Sequence, residues 1–470
     1  MSAPATTEKK YLKWYQKLAY GSGDLASNCS YGLVSSFVLL YLTGTLGLDS
    51  AIIGSLMLAS KVLDGISDVI FGTLIDRTHS KLGKARLWML FGQVGVSLCL
   101  FLLFAIPAGS TTMQYIYFFI VYTALNAVFY TANGIAYSSL VALITKNNNE
   151  RVQLGSFRFM FAVVTNIFMG FAVTGMVEKF GSGAAGWRTT ALIFAIVGLV
   201  VNTISCLAVK ELPEEELSGN TSEAAEEGKA VAEEKKHGFA ETAKILVHNK
   251  YYLMILAIYI VYYIMSNLTT GAGVFCATYY WGDGSLLGQF SMMKMFPVII
   301  ALAIAPVLIK KTGSMQKVNF WGYAISSVLG IPMIYFAMQK NLSMFLLFMF
   351  IKGIFAGTLS GSLNALIAEA SGYTTRTTGI HMDGMMYSCS SLGVKVGGGI
   401  GTAAVGWLLK LGGFVGTATV QSESAIRMIF NLYITFPFVI GIIITVLLAF
   451  LDVEKANKKW DAEHQKEAQA

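Results

Sequence analysis

The sequence predicts an all-α membrane protein with twelve transmembrane helices in two six-helix bundles. Three observations lead there. Of the 470 residues 55% are hydrophobic and 13% charged, and the mean hydropathy is +0.60, far from the balance of a soluble domain. Apolar runs of about 20 residues, the length a helix needs to cross a bilayer, recur along the whole chain. The longest polar interruption, at 210–250, divides these runs six and six.

In chain order the expected spans are 18–44, 50–76, 86–107, 114–143, 155–178 and 188–210, then 251–281, 286–310, 318–339, 343–370, 379–411 and 425–450. The runs are long and continuously apolar, whereas barrel strands would alternate with a period of two, which disfavours a β-barrel. The expected domains are an N-terminal bundle (1–210), a solvated, mostly acidic linker (211–250) with a short amphipathic helix near its end, and a C-terminal bundle with a short tail (251–470). A weak echo relates the halves: GTLIDRTHSKLGKAR follows the second span, and VLIKKTGSMQK follows the eighth.

Lysine and arginine set the orientation. Lys9, Lys10, Lys13, Lys17, Arg77, Lys81, Lys84, Arg86, Lys146, Arg151, Lys310, Lys311, Lys317, Arg376 and the lysines of the C-terminal tail fall on one side. The other side has Lys179, Arg188, Lys340, Lys410 and Arg427. Both termini are therefore expected in the cytoplasm, with the protein in the cell inner membrane. The first nineteen residues lack the pattern of a removable signal peptide. This bias accounts for the net charge of +7, so no nucleic-acid partner is called for. The expected partners are a small solute, a coupling cation and the lipid bilayer, and a monomer is expected.

Catalytic and cofactor signatures are absent. Cys29, Cys99, Cys206, Cys276 and Cys389 lie singly within spans and read as packing residues. The five histidines form no HExxH, and no GxxxxGK[ST] loop is present, so ATP-driven transport and enzyme chemistry have no visible machinery and no cofactor is expected. Gly393, Gly397 and Gly401, at i+4 spacing, read as a close helix contact.

The stretch KVLDGISDVIFG at 61–72 departs from this apolar plan. On a helix Lys61, Asp64 and Asp68 share one face, leaving Val62, Ile66, Val69, Ile70 and Phe71 for lipid. Each unpaired charge at bilayer depth costs at least about 2.5–3.5 kcal/mol on insertion scales, so the three must face a cavity or one another. A Lys61–carboxylate salt bridge alone would fix packing and leave the second acid unexplained. Two carboxylates one turn apart form a site that a small cation or a proton can neutralise.

These residues carry a resemblance. KVLDGISDVIFGTLIDRTHSKLGKARLWML resembles the signature of the glycoside-pentoside-hexuronide:cation symporter family, the melibiose permease family of the major facilitator superfamily. YGSGDLASN (20–28), YTANGIAYSSL (130–140), RVQLGSFR (151–158) and AEASGYTTRTTGIHMDGMMYSCSSLGVKVGGGIG (368–401) extend the match along the chain. The resemblance implies that Asp64 and Asp68 are the cation carboxylates, holding the metal if the ion is Na+, with Thr131 a nearby oxygen donor. It places Lys395 near the acid pair and gives Lys61 a position often held by arginine. For sugar it points to Asn28, Gly134, Ser138 and Arg158, with Asp24 and Tyr130 as further candidates. Asn28 and Gly134 stand where the galactoside carriers of the family have aspartates, and Ser138 where they have tryptophan. The cation half of the site thus looks intact and the galactoside-reading half does not. A pentoside, a uronide or another glycoside is as well accommodated as a galactoside. Lys352 is expected to snorkel toward the outer face.

Asp76 and Arg77 in the turn after the second span, with Glu369 and Arg376 at the inner end of the tenth, are gate candidates. The function expected is symport of a glycoside, pentoside or hexuronide, coupled to Na+ or H+ with Li+ open. The alternatives are an exporter of a non-sugar compound and a sugar sensor that does not transport.

Overall fold

The computed structural model describes residues 9–213, 216, 245–380, 383–418 and 420–467. Most of the linker expected at 211–250 therefore lies outside the described residues; 245–248 are helical. The described residues form helices and no strands: α1 (Trp14–Thr45), α2 (Ser50–Asp76), α3 (Lys84–Leu103), α4 (Thr111–Ile144), α5 (Asn148–Lys179), α6 (Gly183–Leu207), α7 (Lys250–Tyr280), α8 (Leu286–Thr312), α9 (Met315–Met338), α10 (Leu342–Thr378), α11 (Asp383–Leu411), α12 (423–450) and α13 (Val453–Glu467). Among the described residues, eleven helices are long and apolar enough to cross a membrane. The other of membrane length is α2, 27 residues long and bearer of the ionisable cluster.

Three elements depart from expectation. α5 starts at 148 rather than 155, because Asn147 caps it by accepting from the Glu150 N–H at 3.0 Å. The Glu150 side chain in turn is buried, accepts from the Tyr11 and Leu12 N–H groups, and pairs with Lys17 at 3.0 Å. α10 runs eight residues past its expected end and stops at Gly379, whose φ of 71° suits a residue without Cβ. The C-terminal tail, expected as a short extension, forms α13.

The chain divides into two compact units. The first comprises the described residues up to 216 with Asp283–Gly288 and Leu409–Ser422. Its α3 packs closely on α4: a Cβ on Gly95 would lie 2.0 Å from the Phe129 ring. Asn133 and Asn202 both donate to the Met89 carbonyl, at 2.8 and 3.1 Å. Asp49 caps α2 through the Ala51 and Ile52 N–H groups and pairs with Lys410 at 2.6 Å. Partial burial works against its charge, but Lys410 and the two N–H groups outweigh it and hold the carboxyl below its usual range.

The second unit comprises the remaining described residues. Its α11 lies directly on α7: Cβ atoms on Gly397 and Gly401 would come within 2.4 and 2.6 Å of the Ile260 and Ile264 carbonyls, and one on Gly393 within 2.4 Å of the Tyr259 Cβ. The i+4 glycines are thus a packing seam.

The echo between the halves has a structural counterpart. Glu211, just after α6, accepts from the N–H groups of Lys84, Ala85 and Arg86 at the start of α3, each at 3.0 Å. Glu454, just after α12, accepts from the Gln316 N–H at 2.9 Å and from the Ser314 hydroxyl at the start of α9. In each unit a carboxylate following the sixth helix closes the positive end of the third. The first helix of each half also ends in a five-residue π turn, Tyr41–Thr45 and Cys276–Tyr280.

Candidate functional site

The ionisable face of α2 turns into the first unit. Val62, Ile66 and Ile70 are more than half exposed, as a lipid-facing side requires, whereas the Lys61 and Asp64 side chains are 16% and 13% exposed. Phe71 corrects the expected lipid face, because it is half-buried and packs edge-on against Trp88 of α3 at 5.7 Å. The side chain of Val69 lies outside the described set.

Lys61 Nζ approaches Asp64 Oδ2 at 3.4 Å and sits over the Tyr31 ring at 5.7 Å. The other carboxylate oxygen, Oδ1, lies 2.7 Å from the Thr131 hydroxyl. Thr131 is placed by the π turn Ala124–Tyr130, which interrupts α4 immediately before it. Its hydroxyl is also 3.0 Å from the Asn126 carbonyl, which accepts the Thr131 N–H across the widened turn. A carboxylate, a hydroxyl and a carbonyl thus converge, the oxygen donors a hard monovalent cation accepts. Asp68 is one turn further along α2 and half-buried. Lys395 is half-buried on α11 in the second unit.

A second cluster lies along α1, α4 and α5. Arg158 Nε donates to Asp24 Oδ2 at 2.6 Å, and its guanidinium lies 4.2 Å above the Tyr137 ring. The Asn28 amide donates to the Asp24 carbonyl at 2.7 Å and its oxygen accepts from Asn166 at 2.9 Å. Gly134 faces open space, with nothing within 4 Å of where a Cβ would stand. Tyr130 stacks on Tyr31 at 5.2 Å, and Ser138 is exposed. Asp24, Asn28 and Arg158 are therefore joined in one network, and Tyr31 bridges Tyr130 and Lys61 of the Lys61–Asp64 pair. Asn166 was not anticipated, although it follows Arg158 by eight residues on the same helix, about two turns away.

Asp76 and Arg77 are exposed and form no ion pair among the described residues. Glu369 accepts from the Asn457 amide at 2.8 Å, and Arg376 pairs with Asp461 at 3.2 Å. Both partners belong to α13, whose helical form the sequence reading did not foresee.

Lys352 corrects the snorkelling expectation, because it lines a cavity inside the second unit together with Lys294 of α8. Lys294 was overlooked. Its signal was a lone charge in the apolar run SMMKMFPV.

Two units of membrane-length helices, one holding an acid–base cluster on an interior helix face, define a multi-pass membrane protein of the transporter class. The profile of the family described as MFS/sugar transport protein matches residues 19–455, and the chain belongs to this family. Among curated relatives, the chain is 26% identical to the isoprimeverose transporter of Lactiplantibacillus pentosus, covering 100% of this chain and 96% of that protein. It is 24% identical to the inner membrane symporter YicJ of Escherichia coli (strain K12), covering 92% and 90%. The fold is similar to that of a bacterial homolog of the human lysosomal transporter Spinster, with a TM-score of 0.68 at 13% identity, covering 95% of this chain and 98% of that one. These matches support the resemblance to the glycoside-pentoside-hexuronide:cation symporters.

Proposed function

We propose that the protein couples the downhill movement of a cation to the uptake of a sugar or glycoside across the cell inner membrane by alternating access, with both termini in the cytoplasm. Na+ and H+ both suit the carboxylate centre, and Li+ fits the same oxygen donors. The observation that carries this reading is the Thr131–Asp64 contact of 2.7 Å beside Lys61, on the interior face of a membrane-length helix.

In this mechanism the cation enters first and neutralises the Asp64–Asp68 face, which lowers the cost of enclosing it. Lys61 already offsets part of that charge, so an arriving ion competes with the lysine for Asp64. Thr131 supplies an oxygen in place of one from water. Tyr31, stacked on Tyr130 and beneath Lys61, transmits the change toward the Asp24–Arg158–Asn28 network, where sugar hydroxyls meet a carboxylate, a guanidinium and two amides. Cation and sugar then strengthen each other's binding by the same factor.

The test is uptake into membrane vesicles from a panel of glycosides, pentosides and uronides under imposed Na+ or H+ gradients. The wild type accumulates one of these solutes against its gradient, and the Asp64→Asn and Asp68→Asn variants do not. Normal accumulation by both variants would falsify the coupling assignment.

A further inference from the structure

The second unit contains a cavity of ≈ 190 Å³ lined by both Lys294 of α8 and Lys352 of α10, with no carboxylate among its described lining residues. The two helices meet closely beside these lysines: a Cβ on Gly353 would stand 2.8 Å from the Pro297 Cβ and 3.6 Å from the Met293 carbonyl. Residue 297, a proline, has no N–H to offer the Met293 carbonyl. The partners in reach are neutral. Lys294 donates to the hydroxyls of Thr269 and Thr270 at 3.3 and 3.2 Å. Lys352 is half-buried and makes no hydrogen bond or ion pair among the described residues. Hydroxyls solvate an ammonium group but do not neutralise it, and the described lining offers the two lysines no negative charge.

Such a pair at membrane depth is costly unless an anion joins it. The rest of the lining indicates what the anion is attached to. Tyr262 and Ser360, hydrogen-bonded to each other at 2.7 Å, and Ser266 offer hydroxyls. Met265, Met293 and Phe438 offer apolar wall. Hydroxyl donors beside an apolar face suit a sugar ring, whereas a bare inorganic anion would gain nothing from the methionines.

We propose that Lys294 and Lys352 anchor an anionic group of the transported solute, so that the substrate is an acidic sugar carrying a carboxylate or a sulfonate. This rests on the transport reading given above for its solute, and adds the solute's charge.

The experiment measures binding by calorimetry to the full chain in lipid nanodiscs, with no ion gradient imposed. The ligands are methyl glucoside and methyl galactoside, the two corresponding methyl uronides, and their 6-sulfonate analogues. The expected result is that an acidic ligand binds about tenfold tighter than its neutral counterpart, the discrimination one charge-assisted hydrogen bond provides. The Lys352→Gln and Lys294→Gln variants should reduce this preference to about twofold or less, and Lys352→Arg, which keeps the charge, should retain it. Whichever anion shows the larger preference identifies the group. Equal affinity for acidic and neutral ligands, no binding of any acidic ligand, or a preference that survives both glutamine variants overturns the proposal. Asp64→Asn separates the two readings: it should lose accumulation in the gradient assay while keeping the charge preference.

Discussion

Asp64 is held from two sides by groups of different character, a lysine at 3.4 Å and a threonine hydroxyl at 2.7 Å. In the coupling mechanism proposed above the lysine substitutes for the ion and the hydroxyl assists it, so their removal should have opposite signs. Thr131→Ala takes away a ligand worth about 1 kcal/mol and should weaken the cation dependence of uptake about fivefold, with Thr131→Ser nearly unchanged. That is read as a shift in the cation concentration giving half-maximal uptake. At Asp49 the carboxyl is held below its usual range, so what the cap contributes is fully present above that range and fades as pH falls through the lowered value. Asp49→Asn, which keeps a capping oxygen but loses the pairing with Lys410, should flatten the acid limb of a thermal-stability profile measured across pH. Asp64 and Asp68 were legible in the sequence because a charge among apolar residues has few structural excuses. Asn166 was not, because a neutral amide in a helix gives no signal until its partner is known, and the Asn126 carbonyl was not, because every residue type carries that backbone oxygen.

Among the elements, α4 shows how local geometry makes a site. The π turn at Ala124–Tyr130 carries an extra residue that no residue type announces, and it sets both Thr131 and the Asn126 carbonyl. Deleting Ala127 should let the two parts of α4 rejoin as regular helix and turn Thr131 away from Asp64. The expected outcome is folded protein, seen as a monodisperse peak on size exclusion, with cation-stimulated uptake lost. The capping carboxylates make a second prediction. Glu211→Ala leaves three N–H groups at the start of α3 without their acceptor and should destabilise the protein by about 1–2 kcal/mol, measured as a lower midpoint of thermal unfolding. A symmetric loss is expected for Glu454→Ala at α9. Helix positions were readable from hydropathy to within a few residues, except where polar residues carry the helix past the apolar run, as at the start of α5 and the end of α10.

For the molecule as a whole, two halves repeat one plan. Each ends its first helix in a π turn and closes its third with a carboxylate that follows its sixth. The halves nevertheless carry different chemistry, an acid–base cluster in the first unit and a lysine-lined cavity in the second. On the two proposals above, the ion and the solute's charge are read by different groups. α13 belongs to the second unit as a brace: it supplies partners to Glu369, Arg376 and the start of α9. Ending the chain after residue 452 should therefore lower thermal stability and abundance in the membrane, measured with a fluorescent reporter on the N-terminus, while the Asp64 centre keeps its ion preference.

The amino-acid sequence by itself determined the membrane class, the six-plus-six division, the helix that carries the acids and the basic bias of one side. These follow from composition and periodicity, since burying apolar length in a bilayer and leaving charge outside it are properties each segment has alone. The tertiary structure decided which oxygen meets Asp64, which arginine meets Asp24, and that Lys294 and Lys352 share one cavity. Those are pairings between residues far apart in the chain, and their energies exist only once close packing at glycine and proline contacts has brought the helices together.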